Sequence, residues 1–252
     1  MEVVFLTALG VGGASVAGAL IGYFFKNLSH KFSDIVLSFA AGVMLSASVI
    51  GLIIPSLDYG KNFPIPVTVG GIFAGALCVN LVDKLVPHLH RLTGADQEMH
   101  PDNTAKLNKV LLFVIAIAIH NLPEGIAAGV SFGTGDISAA VTVAGGIALQ
   151  NIPEGMVIIA PMLAAGISRK RTFIIALVTG LVEVIGTLIG YFAVSISVAV
   201  LPFALAFAGG TMLYVISDEM IPETHAHGCE RGATYALLVG FCVMLTFDVL
   251  LG

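Results

Sequence analysis

The chain reads as an all-α membrane protein of eight transmembrane helices, and three observations carry that reading. Of its 252 residues, 57% are hydrophobic and only 11% are charged, against about one quarter charged in soluble domains. Its apolar stretches divide between charges into pieces of roughly the 20 residues that cross a bilayer as a helix. Its basic residues fall on alternate sides of those pieces, as cytoplasmic loops require. Residues 1–252 therefore form one transmembrane domain.

The first span runs from Val3 to Phe25. Glu2 precedes it, no positive segment leads it and no small-residue cleavage site follows, so it reads as a retained span rather than a signal peptide. The next two lie at Ile35 to Leu57 and Pro66 to Leu85, and spans four and five at Val110 to Phe132 and Ile137 to Leu163. The run from Thr172 to Ser217 is 46 residues long, too long for one crossing. It folds back near Ser195, Ser197 and Pro202, giving spans at Thr172 to Ser195 and Pro202 to Ile221. Ala233 to Leu251 is the last.

Lys26, Lys31, Lys84, Arg91, Lys106, Lys109, Arg169, Lys170, Arg171 and Arg231 all fall on one side of this arrangement, and only Lys61 on the other. That side is cytoplasmic, which leaves both termini extracytoplasmic. The polar segment at about 87–109, with His88, His90 and His100, reads as a cytoplasmic loop.

Composition excludes other classes. Cys78, Cys229 and Cys242 are too few and too scattered for a disulfide framework or a thiolate zinc site. No basic stripe suggests nucleic acid as a partner. The run His225, His227, Cys229 offers three soft ligands, but structural zinc sites close with four.

The chemistry sits in a pattern that occurs twice. His120-Asn121-Leu122-Pro123-Glu124-Gly125 and Gln150-Asn151-Ile152-Pro153-Glu154-Gly155 each insert polar groups into a long apolar run. A carboxylate there is costly unless a partner or a function explains it. Residues four apart share a helix face, so His120 stands with Glu124 and Gln150 with Glu154. At about 1.5 Å rise per residue, His120 and Glu124 lie roughly 15 to 21 Å deep, Glu183 roughly 17 Å, and Gln150 and Glu154 roughly 20 to 25 Å from the opposite surface. In a core about 30 Å thick, all reach the middle.

Three carboxylates at one depth repel unless a cation sits among them. Pro123 and Pro153 should free the carbonyls of Ile119 and Leu149 and kink both helices, which belongs at a pathway. Met44 reaches the same layer from the second span. One imidazole, carboxylates and amides, with or without the Met44 thioether, which alone reads as a core filler, suit zinc, iron(II) or manganese, with cadmium an intruder, and suit magnesium less.

With these residues the chain resembles the ZIP family of divalent metal transporters, in its compact prokaryotic form, over essentially its whole length. The resemblance implies a binuclear metal centre on helices four and five at His120, Asn121, Glu124, Gln150, Asn151 and Glu154. It adds Glu183 from helix six and Met44 from helix two as ligands. Asp58 would attract metal at the outer side, and Asp83, His88, Asp218 and Glu219 would receive it at the inner ends of helices three and seven. It further implies a 3+2+3 helix arrangement with an inverted repeat, elevator-type alternating access, and inward transport. The cargo is a divalent metal, zinc foremost with iron, manganese and cadmium open, and no organic cofactor is expected. The setting is a bacterial plasma membrane, with the lipid bilayer as partner and a homodimer compatible with the residues. Gln150 departs from the His that many members carry, so the two copies are unequal.

Two rival readings remain. Paired Glu and His on helices also build di-metal enzymes, but those offer Glu-x-x-His elements that this chain lacks. A tightly held ion in a receptor could merely brace helices.

Overall fold

The computed structural model describes residues 1–24, 29–60, 63–85, 120–164 and 167–251. Seven of its helices are long and apolar enough to cross a membrane. In chain order these are α1 (Glu2–Phe24), α2 (His30–Tyr59), α3 (Pro64–Leu85), α5 (Ile137–Ala164), α6 (Arg169–Ile196), α7 (Leu201–Thr224) and α8 (Glu230–Leu251). Between α3 and α5 lies α4, described over residues 120–131.

Local chemistry sets the ends. Ser29 and Ser168 are N-caps whose hydroxyls accept from Phe32 N–H at 3.2 Å and Arg171 N–H at 3.5 Å. Pro64 opens α3 and Pro202 falls at the start of α7, positions where a missing N–H is harmless. The fold-back expected inside 172–217 occurs at Ser197, followed by a 3-10 turn at Val198–Val200.

Two helices widen in mid-course. In α2 the segment Ala47–Ile53 is π-helical, and Ile54 N–H bonds Val49 five residues back. In α7 the segment Ile216–Met220 is π-helical, and Ile221 N–H bonds Ile216. Each wide turn stands just before an Ile-Pro pair, Ile54-Pro55 and Ile221-Pro222. The proline ring collides with the preceding turn, and one extra residue in that turn relieves it. α5 runs through Pro153 as one helix of 28 residues, and because proline has no N–H the Leu149 carbonyl lacks its intrahelical donor there. Ile119 and residues 110–119 lie outside the described residues, as do Lys26, Lys61 and the loop at 87–109.

Glycines bring the helices into backbone contact. A Cβ on Gly155 would strike the Ser15 carbonyl, and one on Gly18 the Ile152 carbonyl, so α1 lies hard against α5. The same is true of Gly125 against the Glu183 carbonyl and Gly186 against the Leu122 carbonyl, which join α4 to α6. Gly12 and Gly180 face each other between α1 and α6, Gly42 and Gly240 join α2 to α8, and Gly75 and Gly210 join α3 to α7. Small residues at such crossings give close van der Waals packing, the main attraction available between helices in lipid. Exchanging α1–α3 for α6–α8 and α4 for α5 converts each of these pairs into another of them, except α1–α6, which maps onto itself.

Candidate metal centre

The two patterned segments face each other inside a bundle formed by α1, α4, α5 and α6. The crossing glycines explain why. With Gly125 and Gly155 pressed onto neighbouring backbones, the polar residues just before them turn inward. Asn121, Glu124, Gln150, Asn151 and Glu183 are all buried, Gln150 and Glu183 completely.

Glu183 is the hub. Its Oε1 accepts from the Ser15 hydroxyl at 2.6 Å and from the Asn121 amide, and its Oε2 from the Asn151 amide at 2.7 Å. Asn151 Nδ2 also reaches the carbonyl of Val11 at 3.2 Å. A second bond links the two segments directly, from Gln150 Nε2 to Glu124 Oε1 at 2.9 Å. The carboxylates of Glu124, Glu154 and Glu183 are close enough for their charges to interact.

These bonds engage the amide nitrogens of Asn121, Gln150 and Asn151 and leave oxygens over. Glu124 Oε2, Gln150 Oε1, Asn151 Oδ1 and Glu154 Oε1 are buried without a hydrogen-bond partner. Each such acceptor costs about 1–3 kcal/mol when no donor meets it. Four acceptors in one cluster, two of them on carboxylates, form an environment that a cation completes.

The remaining expected ligands are distributed around this cluster. His120 Nε2 stands 2.9 Å from Glu219 Oε1, which ties α4 to α7. Met44 is buried in an apolar cluster with Ile147 of α5 and Ile216 of α7, next to the helices that carry Gln150 and Glu219. Asp58 and Asp218 are exposed. Asp83 lies in the last turn of α3, and His88 lies outside the described residues. Among the described residues, no three His, Cys, Asp or Glu side chains converge as a metal-holding group. The centre is instead a mixed amide and carboxylate site whose carboxylate hub is occupied by donors.

Elsewhere, His225 Nδ1 lies 2.9 Å from the carbonyl of Ile221, and His227 pairs with Asp34 at 3.1 Å and stacks on His30. The His225 to Cys229 run is thus tied to local partners. Ser15 and the Val11 carbonyl are the contacts that sequence reasoning missed; the one available signal was a hydroxyl inside a span dense in glycine.

A cavity adjoins the cluster. Ser15, Asn121, Glu154, Met162, Ala176 and Thr179 are among the residues that line it.

A family model described as ZIP zinc transporter matches residues 93–248. The chain is 41% identical over 253 residues to zinc transporter GufA of Myxococcus xanthus, covering 98% of each protein. It is 38% identical to zinc transporter ZIPB of Bordetella bronchiseptica, over 95% of this chain and 78% of that one. Zinc transporter ZupT of Chlorobium chlorochromatii is 34% identical over 95% of this chain and 94% of its own length. Family model, relatives and bundle agree: the chain belongs to the ZIP family, whose members are transporters and not enzymes.

Proposed function

We propose that the chain carries divalent transition metal, zinc first and iron(II), manganese or cadmium with it, across the plasma membrane into the cytoplasm. The observation that supports this best is the set of four buried, donor-less oxygens on Glu124, Gln150, Asn151 and Glu154. The names of the relatives, all zinc transporters, favour zinc among the candidates.

In this reading α4 continues upstream as an eighth crossing, and both termini lie outside the cytoplasm. The exchange symmetry of the helix contacts supports a 3+2+3 arrangement with an inverted repeat, each half supplying one Pro-led wide turn. Two metal positions share Glu124 and Glu154 as bridges. His120, with Met44 behind it, serves one position, while Asn121, Asn151 and Glu183 serve the other. Amide oxygens are weak ligands, so such a site binds and releases rather than locks.

Asp58 attracts the hydrated ion at the outer side. At the centre the ion replaces amide donors on Glu183 and gives the orphaned oxygens a partner. Glu219, with Asp83, His88 and Asp218, receives the ion on the inner side. An elevator-type movement of α1, α4, α5 and α6 against the other helices would carry the site between the two sides. The His120–Glu219 contact, which joins the two groups, would then break or form in each cycle.

The test is purified protein in proteoliposomes loaded with a fluorescent indicator, given a gradient of each metal in turn. Wild-type protein should admit zinc under anaerobic conditions. Binding of zinc with no flux of any divalent metal at any pH would leave the ion as a structural brace and end the transport reading.

A further inference from the structure

α1 looks like an unadorned span in the sequence, yet it supplies a side chain to the metal centre. Hydroxyls on apolar helices ordinarily bond back to their own backbone. Thr179, Thr187, Thr211, Ser195 and Thr246 all do so, each giving its proton to a carbonyl three or four residues earlier. Ser15 does not. Its hydroxyl crosses to Glu183 Oε1 at 2.6 Å, and the residue is buried.

The packing of α1 fixes this placement. Gly12 meets α6 and Gly18 meets α5 at backbone distance, so the residue between them cannot withdraw from either helix. The carbonyl of Ser15 is itself pressed onto Gly155, one residue after Glu154. Ser15 therefore touches the centre twice, by backbone at α5 and by hydroxyl at α6. It also lines the cavity beside the centre.

We propose that Ser15 is a positioning residue of the metal centre. It holds one oxygen of Glu183 in place, and through the shared carboxylate it sets the angle at which Asn121 and Asn151 meet the ion. When the ion displaces the amide donors, Ser15 remains as the one hydroxyl that keeps Glu183 aimed inward. Outer-shell partners of ligating carboxylates act in this way, and losing one typically weakens metal binding 10- to 100-fold. The inference rests on the metal-transport reading above.

The experiment is a Zn2+ titration of the purified full chain in detergent against a competing chelator, paired with initial uptake rates in proteoliposomes. Ser15→Ala should raise both the Kd and the KM for zinc about tenfold, with the maximal rate changed far less. Ser15→Thr, which restores the hydroxyl, should return both to within about twofold of wild type. On a Glu183→Ala background, Ser15→Ala should shift the Kd by less than about twofold, because the two residues act as one unit. A packing role would instead make the effects additive.

An unchanged Kd in Ser15→Ala, or an equal weakening in the Glu183→Ala background, overturns the proposal. Ser15→Cys, close in volume and a weaker donor, reads the same quantity if the alanine variant is recovered poorly, and an unchanged Kd there overturns it as well. A wild-type chain that binds no zinc would instead sink the transport reading itself.

Discussion

The two copies of the patterned segment share a sequence but not a role. Asn121 and Asn151 do the same thing, each giving an amide N–H to Glu183. The residues before them diverge: Gln150 reaches across to Glu124, whereas His120 pairs with Glu219 of α7. Glu124 is buried completely but for 1% of its surface, while Glu154 is only partly buried and faces the cavity. The lesson is that a repeated motif inherits its chemistry from what each copy packs against. The copy on α5 is walled by α1; the copy on α4 meets α6 and α7.

Four sets of substitutions test that contrast, beginning with the largest effect. Glu124→Gln and Glu154→Gln keep side-chain shape and remove the charges proposed to bridge two ions. Each should reduce zinc uptake by about 100-fold or more, at or beyond the top of the range for outer-shell changes. A variant that retained wild-type uptake would remove its carboxylate from the site.

Glu183→Gln comes next. Its amide nitrogen would replace one carboxylate oxygen and confront the donors that now point at that oxygen, leaving buried groups unmatched. Uptake should fall about 10- to 100-fold, and the thermal midpoint in detergent should drop by the equivalent of about 1–3 kcal/mol. Lost uptake with unchanged thermal stability would show that the hydrogen-bonded hub adds nothing to the fold.

Exchanging the unequal members sharpens the comparison further. His120→Gln should raise the KM for zinc about tenfold, because an amide replaces the imidazole as ligand. Gln150→His should lower it by roughly threefold for the same reason. Equal and opposite shifts would mean that the copies are interchangeable, against the asymmetry of their partners.

The smallest difference is expected where the copies are alike. Gly125→Ala and Gly155→Ala each drive a methyl into a backbone carbonyl, of Glu183 and Ser15 respectively. Both should cost about 1–3 kcal/mol of stability, measurable as similar falls in melting temperature. Packing would then be symmetric where chemistry is not.

Much of this was legible in the residues. Helix ends follow from charge and proline, so the long helices at Glu2–Phe24, Pro64–Leu85, Ile137–Ala164 and Glu230–Leu251 begin and end within three residues of their sequence boundaries. The central polar residues were legible too, because carboxylates in an apolar run need a reason. The wide turns were not. Hydropathy is blind to hydrogen-bond register.

Glu219 lies within the wide turn of α7 and pairs there with His120 at 2.9 Å, a contact that hydropathy does not show. Ser15 was missed for another reason: a lone serine in a span is ordinarily bonded to its own helix, and only the fold shows that this one is not.

The most direct measurement of the central claim is zinc flux into indicator-loaded proteoliposomes, run in parallel on wild type, Glu124→Gln and Glu154→Gln at matched protein density. Wild-type vesicles should fill under a zinc gradient while both variants remain near the protein-free background. Filling of all three at one rate, or of none, would contradict transport through the doubled motif.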